Sequence, residues 1–130
     1  MLDINNPGNT RPLHNDKWQG ELEEVKGFSS FDTMTNGIRA YFKSLHTAIF
    51  VHGRKTVQAY IGAYAPPTEN QTDSYIHLMC AGTGLLPTSE IPTQTDQLVL
   101  FAKTQFKIEN GANDLTDEDI LAGLQAANCF

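Results

Sequence analysis

Basic side chains are scarce: nine Lys and Arg stand against fifteen Asp and Glu, a formal charge of −6. That balance argues against a nucleic-acid partner held through its phosphates, and more mildly against any anionic target, a cell-wall polymer included. Cysteine is nearly absent. Cys80 and Cys129 sit in dissimilar contexts without CxxC spacing and read as a reduced, structural pair rather than a disulfide or a metal site. No run of about eighteen apolar residues occurs, so no membrane span is expected. The opening lacks an apolar stretch behind a basic start, so no signal peptide is expected either. His14, His46, His52 and His77 form no HxxxH or similar pairing, and no metal or other cofactor is expected. Neither a phosphate-cradling glycine loop nor a nucleophile elbow around Ser29, Ser30, Ser44, Ser74 or Ser89 is present, which sets aside nucleotide chemistry and acyl transfer. His77 lies one helical turn before Cys80, but two residues sharing one face explain that spacing better than a catalytic pair does.

What is there fits one domain over residues 1–130, since a chain of 130 residues with 40% apolar content can bury one ordinary core. Residues 1–20, dense in Asn, Pro, Gly and Asp, read as ordered loop, and Glu21–Phe31 as a small hairpin around a Lys-Gly break. Asp32 or Thr33 can cap a first helix with Ile38, Tyr41, Phe42, Leu45 and Ile49 on one face and Gly53 as its stop. A second helix starts near Thr56, carries Val57, Tyr60, Ile61 and Tyr64 inward, and ends at the Ala-Pro-Pro of 65–67. A third, capped by Asn70 or Thr72, turns Tyr75, Ile76, Met79 and Cys80 inward, and a Pro-containing connector fills 82–95. Thr95 or Asp96 opens a fourth, with Leu98, Phe101, Ala102 and Gln105 on one side and Gly111 as its end. Thr116 and Asp119 make a capping box for a fifth, through Ile120, Leu121 and Leu124. The expected fold class is therefore mainly α (α+β): about five helices with a small N-terminal loop-and-hairpin lobe.

The remaining chemistry is that of carboxylates: Glu21, Glu23, Glu24, Glu69 and Glu109. Glycosidic cleavage needs one carboxyl protonated at neutral pH, in surroundings that disfavour its charged form. Glu109, in "QFKIENG", would end a helix at the negative end of its dipole, with Phe106 and Ile108 available to shelter it. The plainer reading is a solvated terminal residue before an ordinary Asn-Gly stop. Glu69 could equally serve as an acid at the start of the third helix. Glu21, Glu23 and Glu24 cluster beside Trp18, and a solvated surface explains such clusters by default. Trp18, Tyr64 and Tyr75 offer flat apolar faces to sugar rings, or simply pack.

In order and spacing, "NNPGNTRP", "KWQGE", "GFSSFDTMTNGIRAYFKSL", "KTVQAYIGAYAPPTENQTDSYI" and "KIENG" together resemble a family of small phage and prophage proteins of virion structural or lysozyme-like type. Thr10 stands where that pattern is usually aliphatic, and "MLDI" replaces a basic leader. A broader resemblance links the chain to bacterial glucosaminidases and lytic transglycosylases with lysozyme-like folds, in which a helix ends on the catalytic Glu and an Asn-rich loop, a Trp-x-Gly hairpin, an aromatic-x-x-aromatic strand and another helix follow. Here the later parts run in that order from Asn5 to Tyr75, while the glutamate-bearing helix would be "QLVLFAKTQFKIENG" at the far end. The resemblance thus implies a circularly permuted lysozyme-like domain whose two ends meet.

On this reading the chain is a phage-encoded enzyme, a peptidoglycan glycoside hydrolase (muramidase or glucosaminidase) or lytic transglycosylase, with Glu109 as general acid and Asn5, Asn6 and Asn9 lining a groove with Trp18, Tyr64 and Tyr75. A hydrolase would add a second carboxylate from Glu21, Glu24 or Glu69. The expected partner is the peptidoglycan glycan strand, with other virion proteins beside it. The protein would reside in the virion, or in the host cytoplasm at synthesis, and act at the host cell wall or periplasm. The alternative is a non-catalytic phage virion structural or wall-binding protein of the same fold.

Overall fold

The computed structural model describes residues 1–65 and 71–130. Glu69 and Asn70, with the two prolines before them, lie outside the described residues. Among those described, a short 3-10 turn at Leu2–Ile4 leads into β1 (Glu21–Val25) and β2 (Phe28–Phe31). Five helices follow: α1 (Met34–Phe50), α2 (Val57–Tyr64), α3 (Thr72–Thr83), α4 (Thr95–Asn110) and α5 (Asp117–Ala127).

The hairpin pairs Glu21 with Phe31, Glu24 with Ser29 and Val25 with Phe28, with a bulge between Glu21 and Glu24. Its turn residues Lys26 and Gly27 both take positive φ, 53° and 86°, the twist that lets a two-residue turn match the strands. Outward-facing Leu22, Glu23 and Glu24 are exposed, while Ser29, Ser30 and Phe31 of β2 are buried. The opening loop covers this strand. Ser29 N–H donates to the Thr10 carbonyl at 3.1 Å. The fully buried Asn6 gives its amide to the carbonyls of Thr10 and Ser29, both at 2.8 Å, and accepts Thr10 N–H at 2.8 Å. A polar side chain can be this deep because donors and acceptor are all matched.

α1 begins where Thr33 accepts Asn36 N–H at 3.1 Å, and its periodic residues Ile38, Tyr41, Phe42, Leu45 and Ile49 are all buried. It ends at Phe50, three residues ahead of Gly53, whose φ of 69° turns the chain back. Thr56 caps α2 through Ala59 N–H, and Thr116 with Asp119 forms the reciprocal box at α5. Two expected starts differ. The cap positions of α3 and α4 are Gln71 and Gln94, neither with a side-chain bond. Thr72 is instead the first helical residue, and its hydroxyl donates to the Ala65 carbonyl at 2.5 Å, tying α3 to the end of α2. Gly84 and Gly111 stop α3 and α4 at φ of 77° and 75°.

One apolar cluster takes residues from every helix, among them Leu98, Phe101, Ala102 and Phe106 of α4 and Ile120, Leu124 and Ala127 of α5, and the Phe106 ring meets Tyr41 of α1 edge-on. α5 lies close on α1 because Gly123 has no side chain. A Cβ there would come within 2.2 Å of Ile38 Cγ2. Gly37 does the same for the opening loop, since its Cβ would sit 1.6 Å from the Asn5 carbonyl oxygen. These two contacts bring both ends of the chain onto one long helix. Among the described residues, no helix is long and apolar enough to cross a membrane.

Candidate active site

α4 delivers Glu109 to its C-terminal turn, and the opening loop is waiting there. Asn9 Nδ2 donates to Glu109 Oε1 at 3.0 Å, and the Tyr64 hydroxyl lies 3.1 Å from the same oxygen. Asn9 holds φ of 50°, a left-handed conformation that asparagine tolerates better than most residues. The next residue, Asn110, donates Nδ2 to the carbonyls of Pro7 (2.7 Å) and Phe106 (2.9 Å). The amino group of Met1 donates to the Asn9 and Asn110 side-chain oxygens at 2.7 and 2.8 Å. Loop and helix end are therefore one hydrogen-bonded unit.

Glu109 is half-buried and lines a cleft of about 700 Å³. Gly8 to Arg11 form one wall, with Phe28 of the hairpin beside them. Tyr41, Ser44 and Ala48 of α1 face it, and Tyr60, Tyr64 and Tyr75 of α2 and α3 complete the enclosure with Arg54. Among the described residues Glu109 is the acidic side chain in this lining.

Tyr64 has one hydroxyl hydrogen, and the Gly8 carbonyl, which can only accept, is 2.5 Å away. The same hydroxyl lies within donating distance of Glu109 Oε1, at 3.1 Å, so its one hydrogen is shared between the Gly8 carbonyl and the carboxylate. Beneath lies a second network. The Tyr41 and Tyr60 hydroxyls both donate to Gln105 Oε1, at 2.5 and 3.0 Å. Gln105 Nε2 and the Tyr75 hydroxyl are buried and find no partner among the described residues. Burial pushes all four phenols up, and the charge of Glu109 adds to the rise at Tyr60, Tyr64 and Tyr75. All four therefore stay neutral phenols.

The other candidates lie elsewhere or do other things. Asn5 takes φ of 57° and donates to the Phe31 carbonyl at 3.0 Å, and Asn6 is committed to Thr10 and Ser29. Trp18 is half-buried, its indole N–H on the Arg11 carbonyl. Glu21 accepts from Trp18 N–H and from the Ser29 hydroxyl. None of these four lines the cleft. Phe106 packs into the core against Tyr41 rather than over Glu109. His77 is exposed, and Cys80 and Cys129 are free thiols that burial pushes up, away from thiolate chemistry. Among the described residues no three His, Cys, Asp or Glu side chains gather as a metal-binding set.

Arg11, Arg54, Ser44 and Gln105 escaped the sequence reading as site residues. Gln105 did leave a signal: an amide on the apolar stripe of α4 demands buried partners.

No protein-family model matches the chain. It is 31% identical over 111 residues to Protein P5 of Pseudoalteromonas phage PM2, an alignment covering 84% of this chain and 68% of the phage protein. The chain belongs to the Protein P5 family. The family likeness joins it to a phage protein, and the 84% covered leaves room for little of the chain outside the alignment.

Proposed function

We propose that this member of the P5 family cleaves the glycan strands of peptidoglycan, with Glu109 as the general acid. The observation that carries this reading is the position of Glu109 in a cleft walled by aromatic rings, where Asn9 and Tyr64 both hold Oε1. A carboxyl that donates can protonate a glycosidic oxygen as the C–O bond breaks, and the neutral phenols around it spread no further negative charge into the site. Tyr64 and Tyr75 would face the sugar rings.

The glutamate would serve alone in a lytic transglycosylase, where the sugar's own hydroxyl captures the cation. A hydrolase would need a second carboxylate to activate water. Glu69 keeps that place in the proposal, because it stands in sequence between Tyr64 and Tyr75, whereas Glu21 is engaged within the hairpin. Asn5, Asn6 and Trp18 would act on the substrate through the loop and hairpin they hold. A circularly permuted lysozyme-like arrangement is supported by the same contacts: the helix ending on Glu109 meets the Asn-rich loop, and the hairpin and α1 follow. The protein would work at the host cell wall, carried by the virion beside other virion proteins.

Isolated sacculi incubated with the wild type and with Glu109→Gln, followed by mass spectrometry of the released fragments, test this. Anhydro ends mark a transglycosylase and new reducing ends a hydrolase, both lost in the variant. Sacculus binding without release by the wild type would replace the enzyme with a non-catalytic virion or wall-binding protein.

A further inference from the structure

The chain is acidic as a whole, yet its cleft is not. Arg11 and Arg54 line it against Glu109, both exposed toward solvent. Arg11 is held in place: its guanidinium lies 4.6 Å over the Phe28 ring, and Nη1 donates to the Gly27 carbonyl at 3.1 Å. The rest of its donor fork is unspent. Arg54 follows the left-handed Gly53, and its N–H is tied to the Ala48 carbonyl at 2.9 Å, which fixes the backbone from which the side chain reaches. Neither forms an ion pair among the described residues; the pair that does form there, Lys103 with Asp117, involves neither.

A second observation concerns the floor. Tyr75 is 8% exposed and lines the cleft, and among the described residues neither its hydroxyl nor Gln105 Nε2 has a partner. Buried donors are rarely left unmatched, and a donor opening on a cleft is matched by what enters it. Cations at the wall and a donor below describe a ligand that carries an anionic group and an uncharged oxygen.

Resting on the reading of Glu109 as an acid facing a glycan, we propose that the cleft selects an acidic glycan. A carboxylate carried by the strand is held by Arg11 and Arg54, and a hydroxyl or amide oxygen of the sugar meets Tyr75. The carboxylate can belong to the sugar itself or to a peptide attached to it. The two arginines then set specificity against neutral polymers of the same backbone. They also offset the repulsion that a charge of −6 imposes on such a substrate.

Calorimetric binding to the Glu109→Gln protein, which separates binding from turnover, tests this. The ligands are a neutral N-acetylhexosamine oligomer, a peptide-free strand bearing sugar carboxylates, and peptide-bearing strands with carboxyls free or amidated. At least one acidic strand is expected to bind roughly tenfold tighter than its neutral counterpart at low salt, and which one does so identifies the source of the carboxylate. The preference should shrink as salt rises from about 25 to about 250 mM and fall to near unity with Arg11→Gln and Arg54→Gln combined. Arg54→Gln alone, away from the Phe28 contact, should lose part of it should the double variant not fold. Equal binding of neutral and acidic ligands, a preference that survives both substitutions, or no binding to any of them would overturn the proposal. Loss of the cleavage reading shows separately, as sacculi left intact by the wild type while the binding preference persists.

Discussion

Asn9 holds Glu109 from across 100 residues of sequence, its Nδ2 donating to Oε1 at 3.0 Å. The acid is thereby fixed by a loop that belongs to the other end of the chain, and the same loop supplies the Gly8 carbonyl that shares the Tyr64 hydrogen with it. Geometry of this kind keeps a carboxyl in one rotamer and one orientation before a substrate arrives.

Glu109→Gln keeps the size of the side chain and an oxygen for Asn9 while removing the transferable proton. Glycan cleavage should fall by about 10²- to 10⁴-fold. The melting temperature should move by only a few degrees, measured alongside fragment release. An active Glu109→Gln protein would remove this residue from the mechanism.

Tyr64→Phe deletes a hydroxyl that serves the Gly8 carbonyl and borders Glu109. Urea unfolding should show a loss of about 1 kcal/mol, the usual cost of one hydrogen bond. Activity should drop, since one of the two groups that hold the Glu109 carboxyl in place is gone. Unchanged activity would show that Tyr64 packs without influencing Glu109.

Alkali should unfold the protein through its tyrosines. All four phenols are held above the ordinary value of 10.0, chiefly by burial. Above that value the unfolded chain has shed protons that the folded chain keeps, so stability is whole below about pH 10 and declines as pH rises beyond it. Phenolate absorbance and circular dichroism followed together should change in one coincident step. Phenolate appearing gradually while the helices persist would contradict the burial of these groups.

Gly37→Ala should be severe. Its new Cβ would meet the Asn5 carbonyl oxygen at 1.6 Å, and backbone cannot step aside as a flexible side chain can. A loss of about 2 kcal/mol or more is expected in denaturant unfolding, together with freer amide exchange in the opening loop. Gly62→Ala, where a Cβ would meet nothing within 4 Å, serves as the control and should be neutral or mildly stabilising.

Local signals were readable wherever the cause was local. Thr33, one of two expected caps, and the Thr116 and Asp119 pair cap their helices, and Thr56 caps the helix expected to start near it, because a hydroxyl two or three residues ahead of an amide needs no tertiary help. Gln71 and Gln94 were not readable as starts, since neither side chain makes the cap bond and packing alone sets where α3 and α4 begin. Of the asparagines in the opening loop, only Asn9 reaches the cleft. Asn5 and Asn6 have the same composition signal but turn toward Phe31, Thr10 and Ser29.

By itself the sequence determined the mainly helical class, the hairpin and the core stripe of each helix, since periodicity and capping act within a few residues, and it put forward Glu109 as one candidate acid at a helix end. Tertiary structure alone decided that Asn9 and Tyr64 meet that acid, that Arg11 and Arg54 share its cleft, and that Gln105 gathers two phenols beneath it. Those meetings depend on how α1 and α4 pack and on two glycines that let the chain's ends approach, distances that no stretch of neighbouring residues encodes.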